Sequence, residues 1–457
     1  MNGNHYESKR KYFDNGNTKS YEFRIDQLKS LKAAINNNED NLMNAFILDL
    51  GKPQFEAYTS EIGIIYEQIN STIKNLRKWI KPKRVPTPLY LHPAKSLIYP
   101  EPRGVVLIIS PWNYPFQLAI SPLIGAISAG NCAIIKPSNK SNNTQNVIAN
   151  IIDEAFESDY ISVVKGPGST TVNPLIEKYR FDHIFFTGSV RVGRKILELS
   201  AKHLTTVTLE LGGKSPAIVH KNADIAIAAK RITWAKFFNA GQTCIAPDYV
   251  LVHESKKDAL IEKVKLYIKI FYGEDVENSN DYGRIISEDR FDKLLSLLDG
   301  TNILVGSNHN KEKKFIAPTL VDGITMDSPI MKEEIFGPIL PILTYRDVSE
   351  VVQIVKKNRY PLSLYLFTED KSIEKYIIDN IEFGGGCINH ALSHVVNPNL
   401  PFGGVGYSGM GAYHSKYSFD TFSHMKSIFK PIGKLEANLK YPPYNIQNMK
   451  LVKKFLK

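Results

Sequence analysis

The chain has 457 residues, 43% hydrophobic and 23% charged, with three cysteines and a formal net charge of +11. That length exceeds one typical core, so two or more domains are expected, with the composition of a soluble globular protein. Three well-separated cysteines exclude a disulfide framework, no Cys-x-x-Cys pair suggests a metal site, and dispersed lysines without a nucleic-acid-binding motif exclude that partner. The polar start "MNGNHYESKRKYFDNGNTKS" lacks the apolar stretch of a signal peptide, and no run approaches the ~20 apolar residues of a membrane span. A reducing cytoplasm is the expected location.

Helical periodicity runs through "YEFRIDQLKSLKAAINNNEDNLMNAFILDLGKP", ended by Gly-Lys-Pro, and again through "SEIGIIYEQINSTIKNLRKWI" up to Pro82. Prolines break residues 82–104, where alternation in "LYLHPAKSLIY" predicts edge strands outside the main core. From 104, short apolar runs alternate with helical stretches: "GVVLIIS", "NCAIIKPS", "ISVVKG", "HIFFTGS" and "TVTLELGG". Continuous apolar strands of this kind predict a parallel sheet covered on both faces, with ligands at the carboxyl ends of its strands. A second α/β block follows from 214, with "SPAIVH", "DYVLVH", "LPILTY" and "SLYLFT" as strands; Cys244 falls in the loop before "DYVLVH". The basic end "NMKLVKKFLK" reads either as a frayed tail or as a peripheral contact with an anionic membrane surface.

"HIFFTGSVRVGRKILELSAK" passes from strand through a glycine turn into a helix, a start that favours phosphate. The spacing Gly188-x-x-x-x-Gly193 is followed by Arg194 and Lys195 rather than the Lys-Ser/Thr of a P-loop, and the dinucleotide Gly-x-Gly-x-x-Gly is absent. Alone, the loop either binds a phosphate or simply closes a turn.

"PWNYPF" (111–116), "TLELGGKSP" (208–216), "GQTC" (241–244), "EEIFGP" (333–338) and "LPFGGVGYSGMG" (400–411) occur in order along nearly the whole chain. In that order and spacing they resemble the aldehyde dehydrogenase superfamily. "WNYPF", "DYGRIIS" and "YHSKYSFDTFSH" resemble its class 3, or fatty-aldehyde, branch. The resemblance implies that Cys244 is the nucleophile that forms a thiohemiacetal and then a thioester. It implies that Asn113 supplies the side-chain half of an oxyanion hole, with the Cys244 backbone N–H as the other half. Glu210 becomes the general base for hydrolysis, and its presence favours release of a free acid over acyl transfer to coenzyme A. Cys132 and Cys387, in strand and glycine-run contexts, read as inert.

For the cofactor, the resemblance implies Gly188, Ser189 and Gly193 at the pyrophosphate and Lys136, Ser138 and Asn139 of "KPSN" at the adenosine ribose. Glu334 and Phe336 fall at the nicotinamide end, with Glu333 a solvated neighbour. Trp112, Tyr114 and Phe402 line a substrate funnel or belong to the core. Class 3 relatives carry "KPSE"; Asn139 here has no charge to repel a 2′-phosphate, so NADP is expected beside NAD. The implied fold is a Rossmann-like parallel-sheet NAD(P)-binding domain (1–83 and 103–212), a second α/β catalytic domain (213–412) and a small β arm (84–102 and 413–435). The arm makes a homodimer, and 436–457 is a tail. The expected activity is NAD(P)-dependent oxidation of a medium- or long-chain aliphatic or aromatic aldehyde. A coenzyme A-acylating enzyme and a silent scaffold protein remain the alternatives.

Overall fold

A computed structural model describes residues 4–433 and 441–456; the expected arm residues 434–435 and tail residues 436–440 and 457 lie outside the described residues. Two helices, Tyr21–Asn37 and Glu39–Leu50, occupy the first periodic stretch and part at Asn38. Ser20 starts the first by accepting from Phe23 N (3.0 Å), which satisfies an orphan helix donor. Its Ile25, Leu28, Leu31 and Ile35, at three- and four-residue spacing, face the core. Gly51, at φ 56°, ends the second, and Gly63–Trp79 completes the N-terminal helices.

The first sheet has six strands in the spatial order Gly409–Met410, Thr206–Glu210, His183–Thr187, Val105–Ile109, Cys132–Lys136 and Ile161–Val163. All run parallel except Gly409–Met410, which returns from far along the chain to pair antiparallel with Thr206–Glu210. The chain builds outward from Val105–Ile109 to Ile161–Val163, then restarts on the other side with His183–Thr187. That reversal is a topological switch point, where loops leaving two neighbouring strands diverge and open a crevice. Val105–Ile109 is buried along its length, and every residue of the helix Gln117–Ala129 behind it is buried too. An all-round apolar helix needs cover on both faces, and the N-terminal helices supply the outer one.

The second sheet has seven strands in the order Asn302–Val305, Thr319–Asp322, Ile339–Tyr345, Tyr249–His253, Pro216–Val219, Ser363–Phe367 and Gly385–Ile388. Only Asn302–Val305 is antiparallel. Lys83–Val85, Ala94–Pro102 and Ser423–Pro431 form a separate antiparallel sheet, the last pair in register from Ser423 against Pro102 to Pro431 against Ala94. Residues 413–422 do not join it: Lys416–Thr421 is a short helix that packs on Gln117–Ala129 and buries Ser418 and Phe419. Residues Ile446–Leu456 form a helix with Ile446, Met449 and Leu451 exposed. Among the described residues no helix is long and apolar enough to cross a membrane.

Candidate active site

The two strands at the switch point deliver two of the predicted motifs. Val105–Ile109 leads into "SPWNYPF", and His183–Thr187 leads into Gly188. The next strand ends at Glu210, whose carbonyl accepts from Gly188 N (2.9 Å). Against these ends the second sheet's loop brings residues 238–244. Asn113 is buried, and its Nδ2 donates to Gln242 O (3.0 Å), two residues before Cys244. Tyr114 is buried as well, with its hydroxyl 2.6 Å from Thr243 Oγ1, so it braces the Cys244 loop. Within residues 239–252, Cys244 alone is accessible. A buried loop that leaves only a cysteine partly exposed suits a nucleophile on a rigid support.

The loop's backbone is unusual. Asn239 (φ 53°) and Ala240 (φ 51°) are both left-handed without being glycine, and Phe336 (φ 51°) in the facing "EEIFGP" loop is too. Such conformations cost about 1–3 kcal/mol each and persist only where the surroundings over-determine them. Here Asn239 Nδ2 donates to Asn113 O (3.0 Å) and Gln242 O (3.2 Å), and Gln242 Nε2 returns to Asn239 O (3.1 Å).

Two carboxyl groups, Glu334 and Glu210, lie in electrostatic reach of Cys244. Burial, then the Glu334 and Glu210 carboxylates, push the Cys244 thiol far above its ordinary range. Burial pushes Glu210 well up, and neither of its oxygens has a hydrogen-bond partner in the protein. Glu334 is raised to about 8, first by burial and then by Asp248, although Arg290 and Lys214 pull the other way. The resting thiol is therefore protonated.

The crevice fits a dinucleotide. The helix Val190–Ala201 begins at Ser189, which is exposed and makes no side-chain cap, so its first N–H groups face outward. Gly193 lets this helix lie on Leu211: a Cβ there would sit 2.7 Å from a Leu211 methyl. Gly212 leaves room for the Glu334 carboxylate, which occupies the place a Cβ would take. Lys136 ends its strand buried, donates to Pro137 O (2.7 Å) and is lowered to about 8 by burial; Ser138 is half-buried and Asn139 exposed just beyond. A carboxylate acceptor, with ammonium and helix N–H donors, forms the set that ribose hydroxyls and a pyrophosphate require.

Trp112 packs edge-on against Phe336, with ring centroids 5.3 Å apart. Phe402 lies deeper, stacked on His414 and near His394. Glu333 points outward to Lys293 (2.7 Å). Buried Lys214 pairs with Asp248 and donates to Ile330 O (3.0 Å) and Glu333 O (2.9 Å), while Asp248 accepts from Ile335 N (2.9 Å), so this pair fixes the "EEIFGP" loop. His390 and His394 have a metal-pair spacing, but they are used otherwise. His394 lies between Ser363 Oγ (3.0 Å) and Cys387 Sγ (3.5 Å), and among the described residues no group of three His, Cys, Asp or Glu could hold a metal ion. Gln242 and Lys214 lie inside "GQTC" and "TLELGGKSP", where the sequence reading gave them no role, and Asn239 and Asp248 are marked only by adjacency to a motif.

Residues 6–428 match the aldehyde dehydrogenase family. The chain is 49% identical over 454 residues to 4,4'-diaponeurosporen-aldehyde dehydrogenase of Staphylococcus aureus, covering 99% of this chain and 98% of that one. It is 43% identical over 436 residues to the dimeric NADP-preferring aldehyde dehydrogenase of Rattus norvegicus, covering 95% and 96%. A substrate-bound structure of Staphylococcus aureus AldH superposes with a TM-score of 0.97 at 48% identity, over 100% of both chains. The chain belongs to the aldehyde dehydrogenase family. It is an oxidoreductase that oxidises an aldehyde to a carboxylic acid in an NAD(P)-dependent reaction.

Proposed function

We propose that the oxidation runs through a covalent thioester on Cys244, with Asn113 and Glu210 as the other catalytic residues. The observation that carries this reading is the one partly exposed residue of a buried loop, a cysteine in electrostatic reach of Glu210 and tied to Asn113 through Gln242. The Cys244 thiol gives up its proton to solvent, the thiolate attacks the aldehyde carbon, and the carbonyl oxygen takes up the charge. One Asn113 amide proton is committed to Gln242 O, which leaves the second to meet that oxygen with the Cys244 N–H. Bound NAD(P) supplies the hydride acceptor. Ser189, Gly188 and Gly193 would hold its pyrophosphate, Lys136, Ser138 and Asn139 its adenosine ribose, and Glu334 with Phe336 its nicotinamide end. Glu210 then takes a proton from water, the hydroxide adds to the thioester carbon, and the C–S bond breaks to release the acid and the thiol. Ionised Glu210 is the working base, so its raised pKa moves the rising limb of kcat to higher pH.

The substrate is a medium- or long-chain aliphatic or aromatic aldehyde, supported by Trp112 against Phe336 at the site. The aldehyde named for the Staphylococcus aureus relative is the first to test. The two sheets suit a cofactor unit of 1–83 and 103–212 and a catalytic unit of 213–412, except that Gly409–Met410 of the second joins the sheet of the first. The arm supports a homodimer, and three free cysteines suit a cytoplasmic location. In rapid-mixing absorbance at 340 nm, Cys244→Ala should give neither burst nor turnover. Glu210→Gln should keep a burst near one reduced cofactor per site, then turn over about 10²–10⁴-fold more slowly. Normal steady-state turnover in a folded Glu210→Gln variant overturns Glu210 as the base and favours acyl transfer to coenzyme A.

A further inference from the structure

Residues 52–63 carry no predicted role beyond ending one helix and starting the next, yet their charged side chains end on both catalytic loops. Lys52 and Glu61 are fully buried and pair at 2.6 Å. Lys52 Nζ also donates to Asn113 O (3.1 Å) and lies 4.3 Å from the centre of the Tyr114 ring. The other Glu61 oxygen accepts from Phe116 N (3.2 Å) and Gln117 N (2.9 Å), at the start of the helix that follows the Asn113 loop. Glu56, also buried, accepts from Asn239 N (3.0 Å), the first of the two left-handed residues before Cys244. Behind it, Leu50 O accepts from Arg284 N (2.7 Å), and Arg284 O accepts from Gln242 Nε2 (2.9 Å).

The local backbone makes this reach possible. Glu56 and Glu61 are five residues apart, a spacing that diverges on an α-helix, where faces repeat every three or four. Tyr58–Ile62 is a π-helical turn, in which Gly63 N–H reaches back five residues to Tyr58 O. The wider π turn narrows the angle between the two carboxylates, and such insertions gather at functional sites. Asn113 O receives two donors, Lys52 Nζ and Asn239 Nδ2, which occupy both lone pairs and fix its peptide plane.

We propose that Lys52, Glu56 and Glu61 form a positioning clamp that sets the Asn113 amide relative to the Cys244 thiol, an inference that rests on the roles given to those two residues above. Lys52 and Glu61 fix the Asn113 loop, and Glu56 fixes the Cys244 loop. None of the three is a catalytic residue. Stability alone does not require such a pair, because apolar residues of similar volume can replace a buried ion pair without loss of fold.

The test uses K52M/E61M, which replaces the pair by apolar residues, and E56L, which removes the acceptor at Asn239. Three quantities are read on the full-length enzyme: the melting temperature, the burst of reduced cofactor, and the alkylation rate of Cys244 by iodoacetamide. Alkylation, followed by peptide mass spectrometry, develops no oxyanion and so reports the thiol without Asn113. K52M/E61M should keep alkylation within about twofold of wild type while slowing the burst at least about tenfold, less than the loss expected from deleting an oxyanion donor. Added to Asn113→Ala, it should change the burst by less than about twofold, since both act through one amide. E56L should slow alkylation and burst together, and it decides the matter should K52M/E61M not fold. A normal burst in a folded K52M/E61M variant, or a full multiplicative effect on top of Asn113→Ala, overturns the clamp alone. A normal burst in Asn113→Ala overturns the assignment of Asn113 and, with it, the clamp's link to catalysis.

Discussion

Asn139 stands exposed just past the strand Cys132–Lys136, two residues beyond Pro137, at the place where the resemblance to class 3 enzymes leads to a glutamate. A carboxylate there accepts from a ribose 2′-hydroxyl and repels a 2′-phosphate, whereas an amide carries no charge to do so. Asn139→Glu should therefore raise the KM for NADP about tenfold, the equivalent of ~1.4 kcal/mol, and leave the KM for NAD near wild type. Equal use of both cofactors before and after the change would place the discrimination elsewhere. Cysteine chemistry shows the same dependence on surroundings. Burial pushes Cys132 up to about 12 and raises Cys387 as well, so the thiol pKa does not single out Cys244. Partial exposure sets Cys244 apart from Cys132, and the neighbouring Glu334 and Glu210 set it apart from Cys387.

The helix Val190–Ala201 is the element proposed to hold the pyrophosphate. Gly193, one turn in, lets it rest on Leu211, just past the end of the neighbouring strand. Gly193→Ala would drive a methyl into Leu211, and overpacking of this kind costs about 1–3 kcal/mol. We expect NAD(P) to bind about tenfold more weakly by fluorescence titration, with kcat at saturation much less affected. Leu211→Ala in the same chain should recover most of that affinity. An unaltered dissociation constant in Gly193→Ala would mean that the helix start does not hold the cofactor.

At the scale of the molecule, the arm presents a long strand edge. Ser423–Pro431 pairs on one side with Ala94–Pro102, and Met425, Ile428 and Phe429 stand exposed along it. An extended edge with apolar side chains is a template for another chain, and a second copy would cover it symmetrically. Sedimentation should give a dimer for wild type and a monomer for Ile428→Lys/Phe429→Lys, with the melting temperature of the monomer lowered. A dimer that survives both lysines would rule out this edge as the interface.

The sequence by itself determined the alternation of apolar strands and helices, the parallel sheets that follow from it, and the ordered motifs around Asn113, Glu210, Cys244 and Glu334. These are legible because burial on both faces imposes continuous apolar runs, and because the chemistry imposes residue types within short contiguous stretches. Tertiary structure alone decided that Gly409–Met410 closes the first sheet and that residues 416–421 leave the arm for the helix Gln117–Ala129. It also decided that Tyr114 braces Thr243, and that Lys52, Glu56 and Glu61 meet loops 55 to 183 residues away. Each of these depends on a contact between distant segments, and no local pattern encodes it, because a buried lysine or glutamate reads in sequence like any exposed one until its partner is brought to it.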